Sequence, residues 1–430
     1  MQFEDSDRDS LKAWFIFSMI CINGSLIITQ MTSYSLVYIN LMDYFGFSSF
    51  QAQLIPSIYM GLRMIISPIM IQVIQKLGFR KANLLGTIML IFASICSFFS
   101  NSYIAFLITI GFIPMLGLSL AITSNTFLIK DIFVKNSSKA FGILFCCYGL
   151  TSMMFQYFYY WMIEYYTIRG FFLIIASLQL NAIVTNMFYI NRKFSSKKQK
   201  QTVAEKASEF YTISKKPDCI IFYIAVFFTS ISTNTGMILI MDNGRLYNYD
   251  KNLILFLPIL EEIIGMPFKF ISGFLFDTER GKKSGYVIYS LFVLIFSASH
   301  LVNSFAWSSY YFLVACMVIR GVGKSVFVSQ LILPPGYLAD LPSEVHLIFS
   351  LSQSFRGAGI LIGNVISGNL KDAFGTYQPS LYFLFATHFF GAVLYLISAK
   401  VHQSRVREQR SIAMEVSLVK VGDKTEAEDF

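Results

Sequence analysis

Apolar residues fill this chain in long blocks, and short polar or charged runs punctuate them. A helix rises about 1.5 Å per residue, so about 20 predominantly apolar residues cross the hydrocarbon core of a bilayer. Twelve blocks reach that length: 13–36, 52–75, 82–100, 104–129, 140–163, 170–191, 219–241, 252–276, 285–304, 308–333, 344–369 and 378–400. The pattern predicts an all-α polytopic membrane protein with twelve transmembrane helices and little chain left for a water-soluble domain. Composition agrees, with 55% hydrophobic and only 14% charged residues, where a soluble chain carries about 25% charged.

The longest internal polar stretch runs from Arg192 to Asp218 and holds eight Lys/Arg and two Glu. It is too short and polar to fold alone and reads as a solvated linker. Six blocks lie on either side of it. The expected organisation is a tail over 1–12, a six-helix bundle over 13–191, the linker over 192–218, a second six-helix bundle over 219–400 and a tail over 401–430.

Charge placement predicts orientation, because Lys and Arg accumulate on cytoplasmic loops. With the N-terminus inside, cytoplasmic segments hold 25 of the 34 Lys+Arg, and outer loops hold only Arg169, Arg245, Lys251 and Lys371. Both termini, with the linker, are therefore expected in the cytoplasm, and the net charge of +9 reflects topology. No basic soluble region supports nucleic-acid binding. The acidic N-terminus (Glu4, Asp5, Asp7, Asp9) lacks the basic start of a cleaved signal peptide, so the first span is expected to be retained. The six cysteines fall in or beside the blocks, without zinc-site spacing.

The loop after block two reads Gln75-Lys76-Leu77-Gly78-Phe79-Arg80-Lys81; the one after block eight reads Gly273-Phe274-Leu275-Phe276-Asp277-Thr278-Glu279-Arg280-Gly281-Lys282-Lys283. Corresponding positions in the two halves thus pair a glycine turn with a basic cluster, the weak internal symmetry expected of a duplicated transporter. The run Gly273, Leu275, Asp277 is similar to the loop signature of the major facilitator superfamily. Within that superfamily the chain most resembles the monocarboxylate transporters. The segment from Phe133 to Gly142 keeps Phe133, Lys135, Ala140 and Gly142 of that family's motif between helices four and five, and Asp9, Ala13 and Trp14 are similar to its motif before helix one. The resemblance spans roughly 10–400. It implies the two-bundle fold, alternating access, a plasma-membrane location, a small organic anion as substrate, a proton as candidate coupling ion and a single-span ancillary membrane protein as candidate partner. It also implies that Asp277, Arg280 and Lys135 act in conformational gating.

Ionisable side chains at membrane depth are functional-site candidates by default, because each is costly there without a partner or a cavity. Arg63, Glu261, Glu262, Lys269, Arg320, Lys324 and Arg356 lie inside the blocks, five cations against two acids. That surplus invites an anion, and a carboxylate suits Arg and Lys geometry. Arg320 and Lys269 are the expected substrate-binding cations. Spacings of four and eight put Glu261, Gly265 and Lys269 roughly on one face, with Glu262 near it. In the resembled family helix eight carries an acid and an arginine one turn apart; Lys269 takes the arginine position, and Gly265 stands where the acid belongs. Glu262 or Glu261 is the expected proton carrier from a turn higher. Internal salt bridges are the alternative reading of these charges.

The superfamily's central cavity is lined by helices one, four, seven and ten, so the resemblance adds Thr32, Asn125 and Asn234 as candidate substrate contacts; interhelical hydrogen bonding is the alternative. The family's helix-one lysine is absent from Gln30-Met31-Thr32-Ser33. A facilitator of neutral or zwitterionic solutes, such as amino acids or hormones, and a non-transporting receptor on a carrier fold therefore stay open beside the anion carrier. The sequence carries no nucleotide-binding loop, metal cluster or nucleophile constellation, which argues against a pump or an enzyme and implies no cofactor.

Overall fold

The computed structural model describes residues 7–32, 34–190, 215–233, 235–236, 239–240, 244, 247–305, 309–340 and 344–428. Among the described residues, each of the twelve apolar blocks falls mainly on helical backbone. We label the helices α1 (Leu11–Ile27, continued by Thr29–Thr32 and Tyr34–Phe45), α2 (Ser49–Ser57 to Ser67–Leu77), α3 (Phe79–Phe99), α4 (Tyr103–Ile132), α5 (137–166), α6 (168–186), α7 (Pro217–Thr233), α8 (Lys251–Asp277), α9 (Glu279–Phe305), α10 (Tyr310–Ser329, with Leu333–Leu338 after it), α11 (Glu344–Phe374) and α12 (Gln378–Glu428). Most of the linker, 192–214, lies outside the described residues.

Local chemistry sets the boundaries. The Ser10 hydroxyl caps α1 by accepting from the Ala13 N–H, and Ser48 with Gln51 forms a capping box on α2. Thr167 breaks α5 from α6 with φ 60°. The last helix runs on to Glu428 and does not stop at 400, because the residues beyond are mostly strong helix formers. Pro258 and Pro267 sit within one continuous helix, α8. A sharp break falls on α2. There Pro56 removes a hydrogen-bond donor, Ile58–Leu62 relaxes into a π-turn, and the axis turns by 61° before Pro68 restarts the helix. Arg63 sits in this distorted stretch.

Packing groups the helices by half: α3 on α4, α7 on α11 and α12, α8 on α10, α9 on α10 and α12. The halves meet along two crossings, α2 with α11 and α5 with α8. Each helix of the first pair has its counterpart in the other half in the second pair, α2 in α8 and α11 in α5, so the internal symmetry of the sequence reappears in the contacts. Glycines make both crossings tight. A Cβ on Gly61 would stand 2.9 Å from the Gly357 carbonyl, and one on Gly142 would stand 2.9 Å from the Lys269 carbonyl. In lipid, where water gives helices no reason to associate, such backbone contact supplies much of the adhesion. Ser354 Oγ adds a hydrogen bond to the Ile65 carbonyl across the first crossing (3.1 Å).

At the end carrying the N-terminus, charges bind the second half together. Lys216 pairs with Asp340 (2.6 Å) and Glu344 (2.9 Å), while Arg405 pairs with Asp340 and the fully buried Asp218. Burial opposes ionisation of Asp340, but the Lys216 and Arg405 partners outweigh it and hold that carboxyl below the usual range.

Candidate functional site

A cavity of about 360 Å³ lies between the halves. Its wall runs from mid-helix residues such as Met31, Met60 and Thr233 to Phe141, Ile332 and Phe349, near the helix ends on the N-terminal side. The opposite end is sealed by an apolar cluster in which Ile254, Leu255 and Ile360 of the second half join Tyr34, Val37 and Tyr59 of the first. The molecule is therefore open toward the end that carries the N-terminus. Much of the wall is apolar, and Arg63, Arg356, Lys269, Lys324 and Glu262 are its charged members.

Two sets of charges reach this cavity. The first joins α8 to α10. Glu261 is 2% exposed and accepts from Arg320 Nε (2.8 Å) and from Lys324 Nζ. Glu262 pairs with Lys269 and lies 4.0 Å from Lys324. Glu261 and Lys269 do not share the face expected of them. Seven residues at about 100° each bring Glu262 back to within about 20° of Lys269, whereas eight leave Glu261 about 80° away, facing α10. Arg320 is 1% exposed, packs over the Phe296 ring (5.1 Å) and lies behind the wall, not on it. The structure thus gives Arg320 a neutralising role toward Glu261 and leaves Lys269 and Lys324 at the cavity.

The second set joins α2 to α11. Arg63 is 9% exposed and Arg356 4%. The glycine crossing brings them together, since Arg63 follows Gly61 by two residues and Arg356 precedes Gly357 by one. The Arg63 Nε has no hydrogen-bond partner, and Arg356 lies over the Phe327 ring (5.0 Å) beside Tyr289 and Tyr395. Among the described residues neither arginine has an acid within ion-pair distance. Sequence reasoning counted both as intramembrane cations but did not select them. The available signal was that neither helix offers an acid within two turns of its arginine.

The polar candidates separate in the same way. Asn125 is 1% exposed and belongs to a cluster that ties α1, α3, α4 and the end of α6: Asn83 Nδ2 donates to Asn125 Oδ1 (2.9 Å) and Asn23 Oδ1 (3.2 Å), and the Tyr189 hydroxyl donates to Asn125 Oδ1 (2.7 Å). Thr123 and Thr126, on the neighbouring face of α4, line the cavity. Thr32 is on helical backbone, its side chain outside the described residues, and Asn234 is outside them altogether. Among the described residues no group of His, Cys, Asp and Glu could hold a metal ion.

The loop residues expected to gate lie at the N-terminal end. Gly273 packs against Ser138 and Lys139 of α5, with Asp277 one turn on and Arg280 exposed. Lys135 is exposed, and its backbone N–H, with those of Val134 and Asn136, donates to the Asp9 carboxylate (3.1–3.2 Å); Asn136 Nδ2 adds a fourth bond (3.1 Å). Trp14 meets Phe133 with ring centres 4.7 Å apart. The two motifs that carry the family resemblance, 125 residues apart in the chain, are one contact in space. Burial opposes ionisation of Asp9, but these bonds prevail and hold its carboxyl below the ordinary range. Their contribution is complete above that range and fades as pH falls through the depressed value. Asp9→Ala should cost about 1–2 kcal/mol, read as a lower thermal midpoint in detergent at neutral pH, with the gap to wild type closing under acid.

Residues 19–334 match the family model for the Major Facilitator Superfamily. Monocarboxylate transporter 13 of Bos taurus is 21% identical over 183 residues, 43% of this chain and 43% of the relative. The same protein of Rattus norvegicus is 22% identical over 170 residues, 40% of each chain. The match thus spans less than half the length of these curated relatives. A crystal structure of a POT family transporter in complex with 5-aminolevulinic acid superposes with a TM-score of 0.70 at 15% identity, covering 90% of this chain and 96% of that one.

Proposed function

The chain belongs to the major facilitator superfamily, and we propose that within it the protein is a secondary carrier of an organic anion with an apolar body, working by alternating access. The single observation behind this reading is the pair Arg63 and Arg356: two buried guanidiniums from opposite halves, bordering one cavity, with no acid partner among the described residues. A buried cation without a counter-charge is costly. An anionic cargo supplies that charge, and the guanidinium fork suits a carboxylate. Because one arginine belongs to each half, the cargo touches both halves, and its binding bears directly on how they rock. The apolar wall favours a hydrocarbon or aromatic body over a strongly hydrated ion. The relatives' name, monocarboxylate transporter 13, agrees with a carboxylate.

Reconstitution in proteoliposomes, with a panel of organic acids, amino acids and neutral aromatic solutes, tests the reading. Organic acids should be taken up and neutral aromatics not. Carriage of amino acids or neutral solutes alone would overturn it in favour of a facilitator. We assign the open end to the cytoplasm from the bias of Lys and Arg, and the plasma membrane as the location.

Proton coupling is proposed at Glu262. Its carboxylate occupies Lys269 at the cavity wall, so a proton on Glu262 would release Lys269 to a cargo carboxylate; cargo and proton then favour each other. Uptake should rise as external pH falls. Glu262→Gln, fixed in the neutral form, should lose that pH dependence while retaining exchange of cargo across the membrane. Glu262→Asp, which keeps a titrating carboxyl at that position, is the control. Unchanged pH dependence in Glu262→Gln would make this acid structural.

A further inference from the structure

We propose that the cargo is a dianion, an organic acid with two anionic groups on one apolar body, one group held by Arg63 and Arg356 and the other by Lys269 and Lys324. This rests on the anion-carrier reading above and narrows it. The argument begins with a charge count. On the α8–α10 wall, three cations (Lys269, Arg320, Lys324) face two acids (Glu261, Glu262). On the α2–α11 wall, two cations face none among the described residues. The surplus is one on the first wall and two on the second. A single carboxylate would leave two of these charges uncompensated in a low-dielectric cavity; a dianion leaves one.

The placement of the walls agrees with two anionic groups on one small molecule. Both sets share the cavity wall with two consecutive residues of α5, Tyr148 and Gly149. Tyr148 is an electrostatic neighbour of Arg63, and a Cβ on Gly149 would lie 2.7 Å from Glu262 Oε2 and 3.0 Å from Lys269 Nζ. Consecutive helix positions diverge by about 100°, so the two anion-binding sets lie side by side across the cavity and not at its opposite ends. Carboxylates separated by a few bonds span such a gap. Phe145 and Leu144, one turn before Tyr148 and Gly149 on α5, offer apolar surface to the body that joins them. The spare charge of Lys324, left where Arg320 and Lys324 share Glu261, anchors the second site, and Lys269 joins it when a proton on Glu262 releases it.

Matched probe pairs test the proposal on the purified full chain in detergent at neutral pH, with thermal stabilisation titrated to give Kd. Phenylsuccinate and 3-phenylpropionate share a phenyl body and differ by one carboxylate; glutarate and butyrate repeat the comparison without the ring. Each dianion should bind at least about tenfold tighter than its monoanionic partner, the effect of one further charge-assisted contact. Arg63→Gln and, independently, Arg356→Gln should shrink that preference to less than about threefold. Equal binding within both pairs, or tighter binding of the monoanions, overturns the dianion and leaves the anion carrier standing. Preference retained in both variants overturns the assignment of the second anionic group to these arginines. If no acid stabilises the protein at about 10 mM, the dianion proposal falls; if the uptake panel also finds no anion carried, the carrier reading falls with it.

Discussion

Arg63→Met should raise the stability of the empty protein while abolishing uptake of any anion the wild type carries. The two effects have opposite signs, which separates a ligand-binding cation from a structural one. Arg63 is buried with its Nε unpartnered and with Arg356 as an electrostatic neighbour. Replacing a buried, uncompensated charge by an apolar side chain of similar length typically stabilises by about 1–4 kcal/mol. The thermal midpoint in detergent should therefore rise by several degrees. The cargo meanwhile loses a charge-assisted contact worth about 1.5–3 kcal/mol, and the rocking motion loses one of the two points at which cargo bridges the halves. Uptake should fall by about a hundredfold or more. A variant that is destabilised and equally active would show that Arg63 holds the kink of α2 and does not meet the cargo.

Glu261→Gln should have the larger effect on stability, and in the opposite direction. Glu261 is the shared partner of Arg320 and Lys324, and its side chain and that of Arg320 are each 2% exposed. Lys324, at 22%, can turn to the cavity for water, but Arg320 cannot. Removing one member of a buried pair leaves its partner charged and uncompensated, at a cost of about 3–5 kcal/mol. Cell-surface yield and thermal midpoint should both drop sharply. Arg320→Met added to Glu261→Gln should recover much of the loss, because it removes the stranded charge. If the losses of the two single variants simply add in the double, the pair is not a coupled unit and the position of Arg320 needs another explanation. The same experiment bears on function: an Arg320 that binds cargo directly would leave the stabilised double variant inactive, whereas an Arg320 that serves Glu261 would leave partial uptake.

A single chemical logic connects these results. Charges that have partners, such as Glu261 with Arg320, contribute to stability and resist substitution. Those without an acid partner among the described residues, Arg63 and Arg356, cost stability and are retained in this reading for what they bind. Intramembrane carriers concentrate such uncompensated groups where the two halves meet. Here the tight α2–α11 crossing brings there, from opposite halves, two arginines that have no acid partner among the described residues.

The sequence by itself determined the all-α polytopic membrane fold, because a bilayer demands one long apolar run per crossing and tolerates little else. It also determined the excess of cations at membrane depth, which composition along single helices records directly. Those properties belong to single helices. What only the tertiary structure decided belongs to pairs of helices: that Glu261 turns to α10, that Arg320 is drawn behind the cavity wall, and that Asn125 closes a polar cluster. It alone decided that Asp9 and Lys135 meet, and that Arg63 and Arg356 share a crossing. Each depends on how far one helix is rotated and slid against its neighbour. That rotation is fixed where glycine backbones touch, at Gly61 with Gly357 and at Gly142 with Lys269. The periodicity of a single helix carries no record of which partner will fill such a groove.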